Sequence, residues 1–135
     1  MIEWTDGDLL AARVEALVNT VNTVGVMGSG LALQFKQRFP GNFTAYAQAC
    51  RADEVQPGRM FVWTRLPPGP VQDHPISASY LFPRWIINFP TKRHWRQPSQ
   101  LEDIRTGLEA LVAEIHARDI QTIAVPPLGC RNGRL

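Results

Sequence analysis

One segment of the sequence reads Asn19-Thr-Val-Asn22-Thr-Val-Gly25-Val-Met-Gly28-Ser-Gly30. It follows a short apolar run and leads directly into a helical pattern. Three closely spaced glycines allow sharp turns and let the backbone approach a ligand without obstruction by Cβ atoms. The N-terminus of the following helix offers unpaired N–H groups and a positive dipole end, which suit a phosphate or pyrophosphate. The two asparagines add donors and acceptors for sugar hydroxyls. The segment therefore predicts a site for a phosphorylated sugar, such as a nucleotide.

Strand and helix patterns alternate along the chain. Strands are predicted at 16–21, 59–63, 85–89 and 122–125, and helices at 31–39, from 42 onward and at 100–118. Asn42 is expected to cap the second helix, with Phe43, Tyr46, Ala47 and Cys50 facing inward. Residues 66–83, with five prolines and a glycine, are expected to form a long excursion or a loose hairpin. This alternation predicts an α/β fold with three layers, in which helices cover both faces of a largely parallel sheet.

The last predicted helix has the strongest pattern. Ser99 and Glu102 have the spacing of a capping box, in which each side chain satisfies a free N–H of the first turn. Apolar residues recur at helical spacing and predict one buried stripe. These residues are Leu101, Ile104, Leu108, Leu111, Val112 and Ile115.

Composition sets the broad class of the protein. The 135 residues are expected to form a single domain, with 44% hydrophobic and 19% charged residues and a net charge of only +2. No apolar run has the length of a membrane span, and the first residues lack a signal-peptide pattern. Cys50 and Cys130 are isolated, in neither a metal-binding nor a disulfide spacing. We therefore expect a cytoplasmic protein without a metal or other cofactor.

Three segments of chemical interest each follow a predicted strand. They lie at 22–30, 90–96 and 126–134. Because ligands of open α/β sheets bind outside the carboxyl ends of the strands, these segments are expected to converge on one crevice. The glycine spacing is G-x-x-G-x-G, which fits neither the P-loop nor the dinucleotide fingerprint.

The segment after the third predicted strand is basic and aromatic. It reads Lys92-Arg93-His94-Trp95-Arg96. Such a mixture holds a nucleic-acid backbone by charge and a base by stacking. The alternative is a solvated loop whose tryptophan covers an apolar edge.

Several motifs together resemble the macrodomain family, whose ADP-ribose-binding α/β/α fold implies three layers with a mixed, largely parallel central sheet. They are Gly7-Asp8-Leu9-Leu10, Asn19-x-x-Asn22, Gly25-Val-Met-Gly28-Ser-Gly30-Leu-Ala-Leu-Gln-Phe and Pro126-Pro-Leu-Gly129-Cys130. The string Ile87-Asn-Phe-Pro-Thr-Lys92-Arg-His-Trp95 is similar to the DarG branch. Those antitoxin macrodomains remove ADP-ribose from thymidine bases in DNA and are related to the terminal ADP-ribose protein glycohydrolases. The resemblance covers nearly the whole chain.

The resemblance implies a role for each matching residue. Asp8 would accept a hydrogen bond from the adenine amino group, although it could instead cap a turn. Asn22 would reach the distal ribose, or otherwise merely end its strand. The glycine loop would wrap the diphosphate and the distal ribose. The implied ADP-ribose-binding residues are Asp8, Leu9, Asn22, Gly25, Val26, Met27, Gly28, Ser29, Gly30, Leu31, Thr91, Pro127, Leu128, Gly129, Cys130 and Asn132, and the implied DNA contacts are Arg93, His94, Trp95 and Arg96.

Lys92 matches the lysine on which hydrolysis depends in this branch. The reacting carbon is C1 of the distal ribose, which becomes oxocarbenium-like as its bond to the base breaks. A neutral amine attacks such a carbon, but the lysine pKa must then be lowered by like charges or by desolvation. Alternatively, Lys92 is a cation that stabilises the leaving thymine or contacts a DNA phosphate. Both roles remain open.

The end of the chain departs from the family pattern. The second phosphate loop of DarG-like macrodomains reads approximately Gly-Cys-Gly-Asn-Gly-Gly-Leu, whereas here Arg131 and Arg134 replace glycines. These guanidinium groups either bind the diphosphate or obstruct it. The family's closing helix is missing, so the sequence is expected to be a macrodomain, residues 1–135, truncated at this loop and of lowered stability. Full DarG antitoxins bind the DarT toxin through a further C-terminal domain, which we do not expect within these residues, so binding of a cognate toxin is expected only through such a domain.

The resemblance predicts a hydrolase that removes ADP-ribose from single-stranded DNA and reverses a DarT-type toxin. The alternatives are a macrodomain that binds ADP-ribose without cleaving it and an interaction domain that has lost the ligand.

Overall fold

The computed structural model describes residues 8–65 and 83–128. Its elements, in chain order, are a 3-10 helix Leu9–Ala11, β1 Ala16–Val21, α1 Gly30–Arg38, α2 Pro40–Arg51, β2 Phe61–Thr64, β3 Trp85–Pro90, α3 Leu101–Ala117 and β4 Ile123–Ala124. The four predicted strands and three predicted helices are therefore confirmed, with shifts of a few residues at their ends. The excursion predicted at 66–83 lies almost entirely outside the described residues.

The strands form one mixed sheet in the order β2-β3-β1-β4. Strand β1 runs parallel to β3 and β4, and β2 runs antiparallel to β3. Val21, the last residue of β1, lies opposite Pro90, the last residue of β3. The carboxyl ends of β1 and β3 consequently meet at one edge of the sheet, as the predicted parallel pairing requires, and β4 runs toward the same edge but ends opposite Leu17.

Helices cover both faces of this sheet. Alternate residues of a strand point to opposite faces, so neighbours in β1 enter different cores. Val18 packs with Ile104 of α3, whereas Leu17 packs with Phe35 of α1. Tyr46 of α2 extends the second core toward the end of β1. The predicted three-layer arrangement is therefore confirmed.

Helix α3 differs from its prediction in two ways. Its N-cap residue is Gln100, without a side-chain capping bond, so the capping box of Ser99 and Glu102 is wrong. Glu102 instead pairs with Arg105 one turn later. The buried stripe is also narrower than predicted, because three of its six residues are exposed. Ile104 and Leu111 are buried, whereas Leu101, Leu108 and Val112 are 42–72% exposed.

Helix α2 begins two residues earlier than its predicted cap. Pro40 occupies the first helical turn, where its missing N–H costs nothing because that group would have no helical partner. Asn42 consequently lies inside the helix and is fully buried, so its assignment as the cap is wrong. Its amide instead bonds Asn88 of β3 in both directions, at 3.2 and 2.8 Å.

Within the described ranges, no helix combines the length and apolar character needed to cross a membrane.

Candidate functional site

The loop between β1 and α1 is organised around the Asn22 amide. Its oxygen accepts hydrogen bonds from three successive backbone N–H groups, those of Val24, Gly25 and Val26, at 3.1–3.3 Å. Its nitrogen donates to the Val26 carbonyl at 2.8 Å. Gly25 has a φ of +88°, a left-handed conformation that glycine adopts without strain. The predicted glycine turn is therefore present, and Asn22 shapes it from within.

The underside of this loop is fixed in the core. The Met27 side chain is 2% exposed, and its sulfur lies 3.9 Å from the Asn19 amide nitrogen. Among the implied ligand contacts, Met27 thus lies in the core under the loop. Val24 and Val26 are 46% and 39% exposed, so they lie on the outer side of the loop.

Helix α1 starts where the loop ends. Gly30, its first residue, has a φ of +59°, and Ser29 is the N-cap residue without a side-chain capping bond. The Leu33 N–H bonds the Ser29 carbonyl at 3.3 Å. The backbone N–H groups of the first turn precede this bond and lie next to the glycine turn, as the sequence predicts for an anion-binding helix end.

The loop after β3 is bonded directly to the loop after β1. The backbone N–H groups of Thr91 and Lys92 donate to the Val21 carbonyl at 2.9 and 3.4 Å. In return, Thr23 donates to the Arg93 carbonyl through its N–H at 3.4 Å and its hydroxyl at 2.6 Å. The predicted convergence of these two loops is therefore confirmed.

Lys92 is held within its own loop. Its Nζ donates to the Trp95 carbonyl at 3.4 Å, and the side chain is partly exposed. The Trp95 ring is 45% exposed. His94 stacks on it at 5.3 Å between ring centroids, and the Arg96 guanidinium lies 4.5 Å from the ring centroid. Three of the four implied DNA contacts thus form one cluster, with His94 and Arg96 against the Trp95 indole.

Arg93, the fourth implied DNA contact, is directed at α3. Its guanidinium bonds both carboxylate oxygens of Asp103, at 3.2 and 3.3 Å. The Asp103 side chain is 9% exposed, whereas the Arg93 side chain is 56% exposed. The bond to the carboxylate raises the pKa of the Arg93 guanidinium. Arg93 therefore tethers the lysine loop to the helix behind it, and its contact with DNA stays a prediction.

Asp8 and Leu9 lie at the first turn of the described chain. The Asp8 carboxylate accepts the Leu10 N–H at 3.0 Å, so the capping role that the sequence allowed is present. Asp8 also lines a depression of about 320 Å³. The other lining residues are Leu10, Gln34, Gln37 and Arg38. This depression runs along α1, the helix that starts at the glycine turn, and the implied contact of Asp8 with adenine remains a prediction.

The third converging segment is only partly described. Pro127 is exposed, and Leu128 packs against the core that α3 covers. Gly129, Cys130 and Asn132 lie outside the described residues, as do Arg131 and Arg134. In the described part of the chain, no three His, Cys, Asp or Glu side chains are grouped to hold a metal.

Sequence reasoning missed the polar groups that support the site from behind. Tyr46 is fully buried, and its hydroxyl lies 2.8 Å from both the carbonyl and the amide oxygen of Asn22. Asn19 and Asn88 face each other across β1 and β3, with a bond of 3.3 Å between their amides. Asn19 is fully buried, so the prediction that its side chain serves sugar hydroxyls is wrong. Two asparagines inside otherwise apolar strands were the available signal, because buried amides require partners.

The geometry thus defines an α/β domain in which the loops after two parallel strands, β1 and β3, meet at the carboxyl edge of the sheet. Comparison with known proteins identifies the family. A model of the macro domain matches residues 18–135. The chain therefore belongs to the macrodomain family.

Three relatives assign the chain to the DarG branch of this family. The chain is 52% identical over 135 residues to a DNA ADP-ribosyl glycohydrolase of Thermus aquaticus, of which it covers 34%. It covers 81% of the solved macrodomain of Mycobacterium tuberculosis DarG, with 51% identity, complete coverage of this chain and a TM-score of 0.87. It covers 34% of Thermosipho africanus DarTG solved in complex with ADP-ribose, with 34% identity, 96% coverage of this chain and a TM-score of 0.81. The chain spans about a third of the length of the curated relatives that it matches.

Proposed function

We propose that this macrodomain binds ADP-ribose and removes it from ADP-ribosylated thymidine in single-stranded DNA, reversing a DarT-type modification. One observation carries the proposal: backbone hydrogen bonds join the glycine loop to the loop that bears Lys92. A ligand whose diphosphate lies at the glycine turn is thereby brought close to a primary amine. The curated relatives named DNA ADP-ribosyl glycohydrolase supply the substrate class.

In this proposal, the crevice divides the ligand among separate elements. The N-terminus of α1 and the glycine turn receive the diphosphate, because backbone N–H groups and the helix dipole favour an anion there. Asn22 lies at the ribose next to the bond that is cleaved. Asp8, which lines the depression beside the C-terminal half of α1, receives the adenine.

Two mechanisms assign different roles to Lys92. As a nucleophile, its neutral amine forms a bond to C1 of the distal ribose while the N-glycosidic bond breaks. The electron pair of that bond goes to the thymine ring, which takes up a proton. Water then hydrolyses the amine adduct, releases ADP-ribose and restores the lysine. As an electrostatic group, the protonated amine stabilises the leaving base while water attacks C1 directly.

The two lysines of the chain provide a matched test, because the only other one is Lys36. Lys36 is an exposed residue of α1 whose ammonium lies 4.4 Å from the Phe43 ring centroid. The purified chain is incubated with ADP-ribosylated single-stranded DNA, and released ADP-ribose is measured. We expect release by the unmodified chain and by Lys36→Ala, but a loss of at least a hundredfold in Lys92→Ala.

Further variants and a chemical trap separate the mechanisms. Lys92→Arg keeps a positive charge but supplies no neutral amine, so substantial residual turnover would favour the electrostatic role. Cyanoborohydride added during turnover reduces an imine, and mass spectrometry then locates any adduct on Lys92 or Lys36. An adduct confined to Lys92 would establish the covalent route.

A binding-only macrodomain is the alternative outcome. The Lys92 amine bonds a carbonyl of its own loop, an arrangement that a non-catalytic protein also tolerates. Calorimetric binding of ADP-ribose without release from DNA would favour this alternative. Absence of both binding and release would contradict the proposed function altogether.

A further inference from the structure

The Asn22 side chain has its orientation fixed by its partners. Its amide oxygen is the acceptor for the three N–H groups of the glycine turn and lies 2.8 Å from the Tyr46 hydroxyl. An amide turned by 180° would direct its NH₂ group at those N–H groups, where no acceptor would remain. The orientation of Asn22 is therefore set by the protein before any ligand arrives.

Tyr46 is the only member of this set that comes from another element. It lies in the middle of α2, fully buried, and its hydroxyl is equally close to the Asn22 carbonyl and the Asn22 amide oxygen. The single hydroxyl proton is thus shared between two acceptors of one residue, at the point where β1 ends. One turn further along α2, Cys50 packs beneath the turn, with its Cβ 3.5 Å from the Cβ position of Gly25.

We propose that Tyr46 is a positioning residue for the macrodomain reaction, whose hydroxyl holds Asn22 and the glycine turn in the ligand-binding shape. This inference rests on the proposed function, because it assumes a nucleotide-sugar on that turn. Tyr46 acts through Asn22 and does not itself touch the reacting atoms.

Packing alone does not account for a tyrosine at this position. A phenylalanine would fill the same space between Val21, Met27 and Ala49, the buried neighbours of Tyr46. The hydroxyl adds the cost of removing a polar group from water, which its bonds to Asn22 help to offset. Those bonds lie on the ligand side of the helix, so their effect reaches the loop as well as the core.

Tyr46→Phe is the test, because it removes one oxygen and keeps the ring. The three backbone bonds to Asn22 remain, so we expect the fold to persist while the turn becomes less ordered. We expect kcat for release of ADP-ribose from modified DNA to fall at least tenfold. The affinity for free ADP-ribose, measured by calorimetry, should fall about fivefold. Amide hydrogen exchange at Val24, Gly25 and Val26 should become faster than in the unmodified chain.

Phe43→Leu is the matched control. Phe43 lies on the same helix, packs on the same core cluster and has its ring centroid 6.4 Å from that of Tyr46, but it has no hydroxyl to bond Asn22. We expect Phe43→Leu to lose about as much thermal stability as Tyr46→Phe but to keep the kcat of the unmodified chain. Both variants are assayed well below their unfolding temperatures. Equal losses of kcat in the two variants would show a general packing effect and overturn the positioning role.

The two proposals fail in distinguishable ways. If the unmodified chain binds ADP-ribose without cleaving it, hydrolysis is refuted, but weaker binding by Tyr46→Phe still supports positioning. If Tyr46→Phe matches the unmodified chain in kcat and affinity, the positioning role is refuted while hydrolysis stands. A chain that neither binds nor cleaves would overturn both.

Discussion

Replacement of Asn88 by alanine should remove much of the stability of this domain. Asn88 is fully buried in β3, and its side chain makes four hydrogen bonds. It accepts from the amides of Asn19 and Asn42, at 3.3 and 3.2 Å, and donates to the Asn42 amide oxygen and the Phe61 carbonyl, at 2.8 and 3.1 Å. Alanine satisfies none of these groups and leaves each of them buried.

The expected loss in the free energy of unfolding follows from these four hydrogen bonds. At about 1 kcal/mol net for each, Asn88→Ala should lower the free energy of unfolding by about 4 kcal/mol. Because single domains are stable by only about 5–15 kcal/mol, this is a large fraction of the total. With a urea dependence of about 2 kcal/mol per molar, the unfolding midpoint should fall by about 2 M.

A double-mutant cycle makes the reasoning specific to the network. Asn42→Ala removes two of the same bonds and should cost about 2 kcal/mol. Because both of its bonds are shared with Asn88, the double variant should be no worse than Asn88→Ala, a coupling of about 2 kcal/mol. Gln48→Ala, on the exposed face of α2, is the control and should change stability by less than about 0.5 kcal/mol. Additive losses, or an Asn88→Ala midpoint within 0.5 M of the unmodified chain (about 1 kcal/mol at this urea dependence), would refute the network.

Three further predictions concern tight packing, backbone conformation and pH. Gly107→Ala places a Cβ 2.5 Å from two carbons of the Phe89 ring, so it should cost about 1–3 kcal/mol by calorimetric unfolding, and Phe89→Leu in the same chain should recover part of the loss. Gly25→Ala forces alanine to a φ of +88°, so it should lower the free energy of unfolding by about 1–2 kcal/mol and weaken ADP-ribose binding. Gly28→Ala, with ordinary contacts and no positive φ, should be better tolerated. Equal losses of stability in the two variants would contradict this reasoning. Burial raises the pKa of the Tyr46 hydroxyl above its usual 10.0, so this hydroxyl ionises at lower pH in the unfolded chain than in the folded one. The stability that this difference contributes is fully present below about pH 10 and is lost as the pH rises further. Tyr46→Phe should therefore lose less stability above about pH 10 than the unmodified chain.

The layers of the fold were predictable because long patterns specify them. Strands β1 and β3 are continuous buried runs, as expected for parallel strands covered on both faces. The convergence of the loops then followed from parallel pairing alone. These inferences rest on many residues at once, so an error at one position does not change them.

Predictions that rested on single residues were less secure. Asn42 is a residue type that commonly caps helices, but helix α2 begins earlier, at Pro40, and Asn42 therefore lies in the core. Ser99 and Glu102 have the spacing of a capping box, but Gln100 is the N-cap residue and Glu102 pairs with Arg105. In both cases the residue types suit a helix start, but the helix begins at a different residue. The exact start depends on tertiary contacts, which the local sequence does not contain.

The supporting residues of the site were hidden from pattern reasoning for a related reason. Tyr46 reads as a core aromatic, and its sequence position gives no sign that Asn22 lies within reach of its hydroxyl. The pair is separated by 24 positions and is joined only because α2 folds back over the end of β1. Residues in direct contact with a ligand leave motifs in a sequence, whereas residues that orient them depend on the fold.

The position of Lys92 is a consequence of how the sheet ends. Val21 lies opposite Pro90, which has no N–H and therefore cannot continue the ladder of hydrogen bonds. The next two donors, the N–H groups of Thr91 and Lys92, instead both turn to the Val21 carbonyl, and Thr23 holds the following residue. The backbone of Lys92 is thereby fixed beside the first residues of the glycine loop by the sheet register itself. If the ligand binds as proposed, the backbone of this loop is already in place and the Lys92 side chain still has to be oriented, so much of the cost of organising the loop is met during folding.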